Sequence, residues 1–190
     1  KNPYYVDVAV YAVPGSSKPI IKDINEKALY ERYPYSSYPN VKPYLPAPAE
    51  FEETGESLKE NEIMNVSEFL EENGHFIWDA PKGNWTIVRM GIRVTGASTR
   101  PSPQPVIGLE SDKLNAKAFG DHLKNYTDIL LEKTAPRKEG AGWTGFHIDS
   151  WESGSQNWTE GIVEEFKRRR GYDPEPYFLT YTGRAVKSLE

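Results

Sequence analysis

The chain has 190 residues, with 28 acidic against 23 basic side chains for a formal net charge of −5, and no cysteine. That length holds one good core or two small lobes, the negative balance argues against a nucleic-acid partner, and the absent thiols exclude disulfides, thiol catalysis and thiolate metal sites within these residues. No apolar run approaches the ~18 residues of a membrane-spanning helix, so no membrane insertion is expected.

The sequence begins at Lys1 rather than Met and enters a strand-like segment almost at once, so it is expected to be a piece of a longer polypeptide whose partners include the rest of its own chain. Tyr4–Val13 is rich in β-branched and aromatic residues and ends at Pro14-Gly15, which predicts a strand closed by a turn. Residues 30–48, YERYPYSSYPNVKPYLPAP, suit neither a helix nor a central strand, because proline removes the backbone donor that both use. A long ordered loop is expected, covering a sheet edge or offering flat tyrosine faces to sugar rings. The glutamate-dense stretch 50–72 reads as a solvated face, with Ser67 capping a short helix that ends at Asn73-Gly74.

His75–Gly96 carries the clearest β signal. Two strand-like runs flank Pro-Lys-Gly-Asn, and Val88, Met90, Ile92 and Val94 alternate with Ile87, Arg89, Gly91 and Arg93, which predicts a hairpin of an antiparallel sheet. Beyond Gly96 a Pro/Ser loop leads to GLESDKL. Leu114–Lys133 then has helical spacing through Leu114, Ala118, Leu123, Tyr126, Ile129 and Leu130. Residues 143–149 read as a short strand and Glu160–Arg170 as a second helix, with the basic run Lys167–Arg170 set against the negative end of its macrodipole. Helix, strand, helix is the order of an α/β unit. The expected division is a β-rich module over 1–100 and an α/β segment over 101–190. Four N-x-[ST] patterns, at Asn65, Asn84, Asn125 and Asn157, decide nothing about compartment, because the motif is short and common.

The stretch GFHIDSWESGSQNWT starts at Gly145. Strand alternation puts Phe146 and Ile148 on one face and His147, Asp149 and Trp151 on the other. In a (β/α)₈ barrel a strand of this kind ends at the rim where active sites sit, with Glu152 on the rim itself. Carboxylates in that place suit glycoside hydrolysis, where one protonates the leaving oxygen and another activates water or attacks carbon. A neighbouring indole and a second carboxylate would raise the acid's pKa, and Gln156 and Asn157 add donors and acceptors for sugar hydroxyls. The plainer alternative makes Asn157 or Thr159 a helix N-cap, Asp149 a strand-end residue and Glu152 a surface residue. A metal centre at His147, Asp149 and Glu152 is the weakest of the three, for want of soft ligands.

The run HIDSWESGSQNWT, continued through EEFKRRRGYDPEPY to TGR, resembles the catalytic region of the α-L-rhamnosidase-like enzymes of glycoside hydrolase family 106. GNWTIVRMGIRVTG and IGLESDKL resemble the same family, and together the matches cover about residues 75 to 185. The resemblance implies a bacterial, exported, inverting hydrolase that removes terminal L-rhamnose from plant polysaccharides or glycosides. It implies a (β/α)₈ barrel with attached β modules, of which these residues form a partial barrel segment, a periplasmic or extracellular location, and Ca²⁺ near the substrate site. Carried over by position, Glu152 becomes the general acid. Asp149, Glu110 and Asp112 become sugar or cation contacts, and Lys113, Trp151, Gln156 and Asn157 further substrate contacts. Phe178-Leu179 stands where the family more often has Leu-Pro, and Tyr181 where it has a smaller apolar residue. A full barrel takes about 250 residues, and no second catalytic carboxylate is evident downstream of Glu152, so that partner is expected outside this sequence and the piece alone is expected to be nearly inactive. The rival reading is a non-catalytic carbohydrate-binding or scaffolding domain. A third is a hydrolase of the same architecture acting on another terminal sugar.

Overall fold

The computed structural model describes residues 5–22, 24, 28, 56–98, 102–134, 138, 145, 147 and 156–188. Strand β1 (Tyr5–Pro14) is the centre of a three-stranded antiparallel sheet of order β2-β1-β3, with β2 at Met64–Asn65 and β3 at Trp85–Arg93. The apolar run Val8–Val13 within it has a physical cause: over Ala9–Val13 both faces are buried. Ala9, Tyr11 and Val13 pack with Leu58, Phe178, Leu179 and Val186, while Val10 and Ala12 turn to Val66 on the other side. The register shifts between Asp7 and Ala9, the signature of a bulge.

The alternation expected in β3 is present. Val88, Met90 and Ile92 are half-buried, and Ile87, Arg89, Gly91 and Arg93 are exposed. The expected hairpin partner is corrected: residues 75–80 form no strand, and β3 pairs instead with β1, from Tyr5 opposite Arg93 to Pro14 opposite Trp85. β1 offers ten residues of ladder, whereas the 75–80 run stops against Pro81, which lacks a backbone donor. Phe76 instead bridges Leu70, and Trp78 meets Trp85 edge-on, with ring centroids 5.7 Å apart.

The helix expected from Ser67 to Gly74 is likewise replaced by a single 3₁₀ turn, Ser67–Phe69. The Ser67 hydroxyl is used elsewhere, accepting from Val10 N at 2.9 Å and donating to Asn65 Oδ1 at 2.6 Å. It fastens β1 to the turn rather than capping a helix.

Helix α1 (Ala116–Thr134) matches its periodicity. Asn115 caps it, its Oδ1 accepting from Lys117 N at 3.0 Å and Ala118 N at 3.1 Å. Of its apolar positions, Leu123, Tyr126, Ile129 and Leu131 are exposed among the described residues, while Thr127 is buried. Helix α2 (Ile162–Arg170) lies between Gly161 and Gly171, both left-handed. Its basic run is neutralised locally as well as by the macrodipole. Glu165 holds Arg168 and Arg169 at 2.7 and 2.5 Å, and Asp173 holds Lys167 at 2.9 Å. These two guanidinium groups bring the Glu165 carboxyl down to about 2.

After the 3₁₀ segment Glu175–Thr182 the chain returns to its beginning. The Gly183 carbonyl accepts from Ile20 N and Ile21 N at 2.7 and 2.8 Å, Leu58 N donates to Ala185 O, and Lys187 N donates to Leu58 O. Leu179 and Val13 are both fully buried in the core cluster formed there. The Tyr/Pro stretch 30–48 lies outside the described residues, as does the expected strand 143–149 apart from Gly145 and His147, which are exposed.

Candidate functional site

Beyond β3 the chain passes through Val94–Ala97, turning at the left-handed Gly96, and after the Pro-rich loop comes back beside itself. Ser98 bridges Leu109, and Glu110 N donates to Ala97 O at 2.9 Å. This return places the residues of GLESDKL beside the end of β3. The segment Gln156–Glu160 closes a third side, and together they line a cleft of about 390 Å³. The sequence-predicted residues Glu110, Asp112, Lys113 and Gln156 all line it, with Arg93, Trp158 and Thr159. Glu152, Asp149 and Trp151 lie outside the described residues.

The turn at 112–115 is set by Asp112. Its Oδ1 accepts from Leu114 N at 2.9 Å, and its backbone carbonyl accepts from Asn115 N at 3.2 Å. The same carboxylate reaches across the cleft wall. Thr159 Oγ1 donates to Oδ2 at 2.6 Å, and Gln156 Nε2 makes a short hydrogen bond to Oδ1. Gln156 also accepts from Lys113 N at 3.3 Å and donates to Trp158 O at 3.1 Å. Burial acts to raise the Asp112 pKa, but the hydrogen bonds from Thr159, Gln156 and the backbone amides of Leu114 and Asn115 together outweigh it and hold the carboxyl below its usual range. Lys113 Nζ meets Glu110 Oε2 at 2.7 Å in a half-buried pair, so the cleft carries a cation and an anion side by side.

The N-cap reading of this segment is corrected. The cap position of α2 is Gly161, without a side-chain hydrogen bond, so neither Asn157 nor Thr159 fills it. Asn157 Nδ2 donates to Ala28 O at 2.6 Å, which anchors the segment to a part of the chain 129 residues away, and Asn157 lines a second, aromatic cleft of about 180 Å³ rather than the first. Trp158 borders both clefts and meets Phe178 edge-on, with ring centroids 5.5 Å apart. The sequence offers Thr159 only as a helix cap. Its place in QNWT, next to two residues already singled out, was the available signal.

No group of three or more His, Asp or Glu side chains stands close enough to hold a metal ion among the described residues, each Asp112 oxygen accepts from a protein donor, and Glu110 pairs with Lys113.

The family model described as alpha-L-rhamnosidase, that of glycoside hydrolase family 106, matches residues 4–190. A protein of Formosa agariphila named "Putative beta-glucuronidase" is 33% identical over 188 residues, which is 98% of this chain and 15% of that one. The solved structure of a rhamnosidase from Novosphingobium sp. PP1Y superposes with a TM-score of 0.65 at 19% identity, covering 98% of this chain and 23% of that chain. The chain thus spans under a quarter of the length of the proteins it matches here.

Proposed function

Because this chain belongs to glycoside hydrolase family 106, the α-L-rhamnosidase family, we propose that it forms part of the catalytic unit of a glycoside hydrolase that removes terminal α-L-rhamnose from plant poly- or oligosaccharides with inversion. The supporting observation is the cleft, where Glu110, Asp112, Lys113 and Gln156, separated by up to 46 positions in sequence, stand on one wall system. A mixed cation, carboxylate and amide lining next to an indole is what holds a sugar ring by its hydroxyls and its apolar face. The segment that carries Gln156 follows Glu152 by four residues, so the proposed acid is joined by a short chain to this wall.

In the proposed reaction Glu152 protonates the glycosidic oxygen as the bond to the anomeric carbon breaks. A second carboxylate, supplied by the rest of the natural chain, removes a proton from the attacking water; an inverting pair stands ~6.5–9.5 Å apart. The barrel rim and the exported location belong to the same proposal. Calcium receives no residue and no step in it.

The test is Glu152→Gln in the complete natural chain. Turnover of a rhamnoside with a poor leaving group should fall by ~10²-fold or more, while one with a good leaving group, which needs little protonation, loses less. Equal turnover of both by wild type and variant sinks the assignment of Glu152. The name of the Formosa agariphila relative favours one second reading, a terminal uronic acid as substrate, and hydrolysis of a glucuronide in preference to every rhamnoside tested would establish it. Sugar binding that survives Glu152→Gln, in a wild-type protein that hydrolyses nothing, would establish the non-catalytic alternative.

A further inference from the structure

We infer that Asp112 is a positioning residue, a tie between the 109–113 turn and the 156–159 segment, rather than a contact to sugar or cation. The inference rests on the reading of the cleft as a glycosidase site and assigns one of its residues a role opposite to the one expected by resemblance.

A carboxylate has about four acceptor positions on its two oxygens. Those of Asp112 receive Leu114 N, Gln156 Nε2 and Thr159 Oγ1, from residues 2, 44 and 47 positions away. With three of the four positions filled, two on Oδ1 and one on Oδ2, a ligand finds at most one acceptor position on Oδ2, and any contact beyond it displaces a protein donor and leaves it unpaired, at a cost of about 1–3 kcal/mol.

The connections form a closed circuit. Asp112 fixes Gln156, Gln156 accepts from the backbone of Lys113, and Lys113 is bonded in the chain to Asp112. The circuit therefore sets where the Lys113–Glu110 pair stands against Gln156 and Trp158. Its closure depends on both donors: with Thr159 alone, Gln156 keeps only its bonds with Lys113 N and Trp158 O, and with Gln156 alone, the segment before α2 loses its tie through Thr159.

The test uses the complete natural chain carrying Asp112→Ala, Asp112→Asn, Thr159→Val, or Asp112→Ala with Thr159→Val. Hydrogen exchange reads the tie itself: Asp112→Ala should raise exchange in peptides covering 156–160, and Thr159→Val should raise it at 110–114. Kinetics read its use. Displacement of a cleft wall should lower kcat by as much as ~10²-fold while KM and calorimetric binding of free L-rhamnose stay within about twofold, and Asp112→Asn, which keeps one acceptor oxygen, should fall between. The double variant should be no worse than Asp112→Ala alone, because both substitutions break one unit. Unchanged exchange at 156–160 overturns the tie, and a raised KM with weakened sugar binding and retained kcat overturns it in favour of direct contact. If Asp112→Ala does not fold, Thr159→Val decides by the same two readouts. If the wild type hydrolyses no glycoside, the glycosidase reading falls and the exchange measurement still decides the tie.

Discussion

Thr159 donates its hydroxyl to the Asp112 carboxylate at 2.6 Å across 47 positions of sequence. The bond crosses from the turn before α1 to the segment before α2, and it makes a side chain that looked available for ligand into part of the wall.

The Asp112 carboxylate also confers an acid-sensitive contact. Its folded pKa is lowered, so its stabilising contribution is fully present above the unfolded value of ~3.9 and is lost as pH falls through the folded value. Protection from hydrogen exchange at residues 156–160 should therefore decline on acidification below about pH 4. Asp112→Asn should show reduced protection at neutral pH and no further decline in that window.

Tyr11 predicts the opposite limb. Its ring is buried, its hydroxyl donates to Glu175 O at 3.1 Å, and burial, followed by the charges of Glu175 and Asp173, pushes the phenol up to about 12. The contribution is complete below the ordinary value of ~10 and is lost as pH rises from there toward the folded value. Tyr11→Phe should flatten the alkaline part of the stability profile and cost about 0.5–1.5 kcal/mol at neutral pH, measured by denaturant titration.

Gly183 lies at φ 81°, and a Cβ there would come within 3.0 Å of Pro19 Cβ and 3.3 Å of the Ile21 carbonyl. The backbone can neither relax its sign nor retreat without breaking the Ile20 and Ile21 hydrogen bonds. Gly183→Ala should destabilise by about 1–3 kcal/mol, with exchange rising first in peptides covering 18–22 and 183–187.

Leu179 has no exposed surface and packs in the cluster that joins the centre of the sheet to the C-terminal segment. Truncation to alanine should cost about 2–5 kcal/mol, the transfer term plus an unfilled cavity. A denaturation midpoint unchanged from wild type would show that the cluster does not hold the two ends of the chain together.

Much was legible locally. Alternation from Ile87 to Arg93 separates the half-buried from the exposed side of β3, and the 3.6-residue spacing from Leu114 to Leu130 marks the helix α1, although most of that apolar stripe is exposed among the described residues. The 75–80 run has the composition of a strand, and nothing local says that β1 outcompetes it for β3. A hydroxyl such as that of Ser67, before a helix-like stretch, looks the same in sequence whether it caps a helix or reaches a distant strand.

By itself the sequence determined β1, β3, α1 and α2, the family and the residue types at the candidate site, because periodicity and motif are properties of neighbours along the chain. Only the tertiary structure decided that β1 has two buried faces, that Asn157 is an anchor to Ala28, and that each Asp112 oxygen already accepts from a protein donor. Each of those depends on which groups meet across tens of residues, and a carboxylate's role is set by the donors that reach it rather than by the motif that contains it.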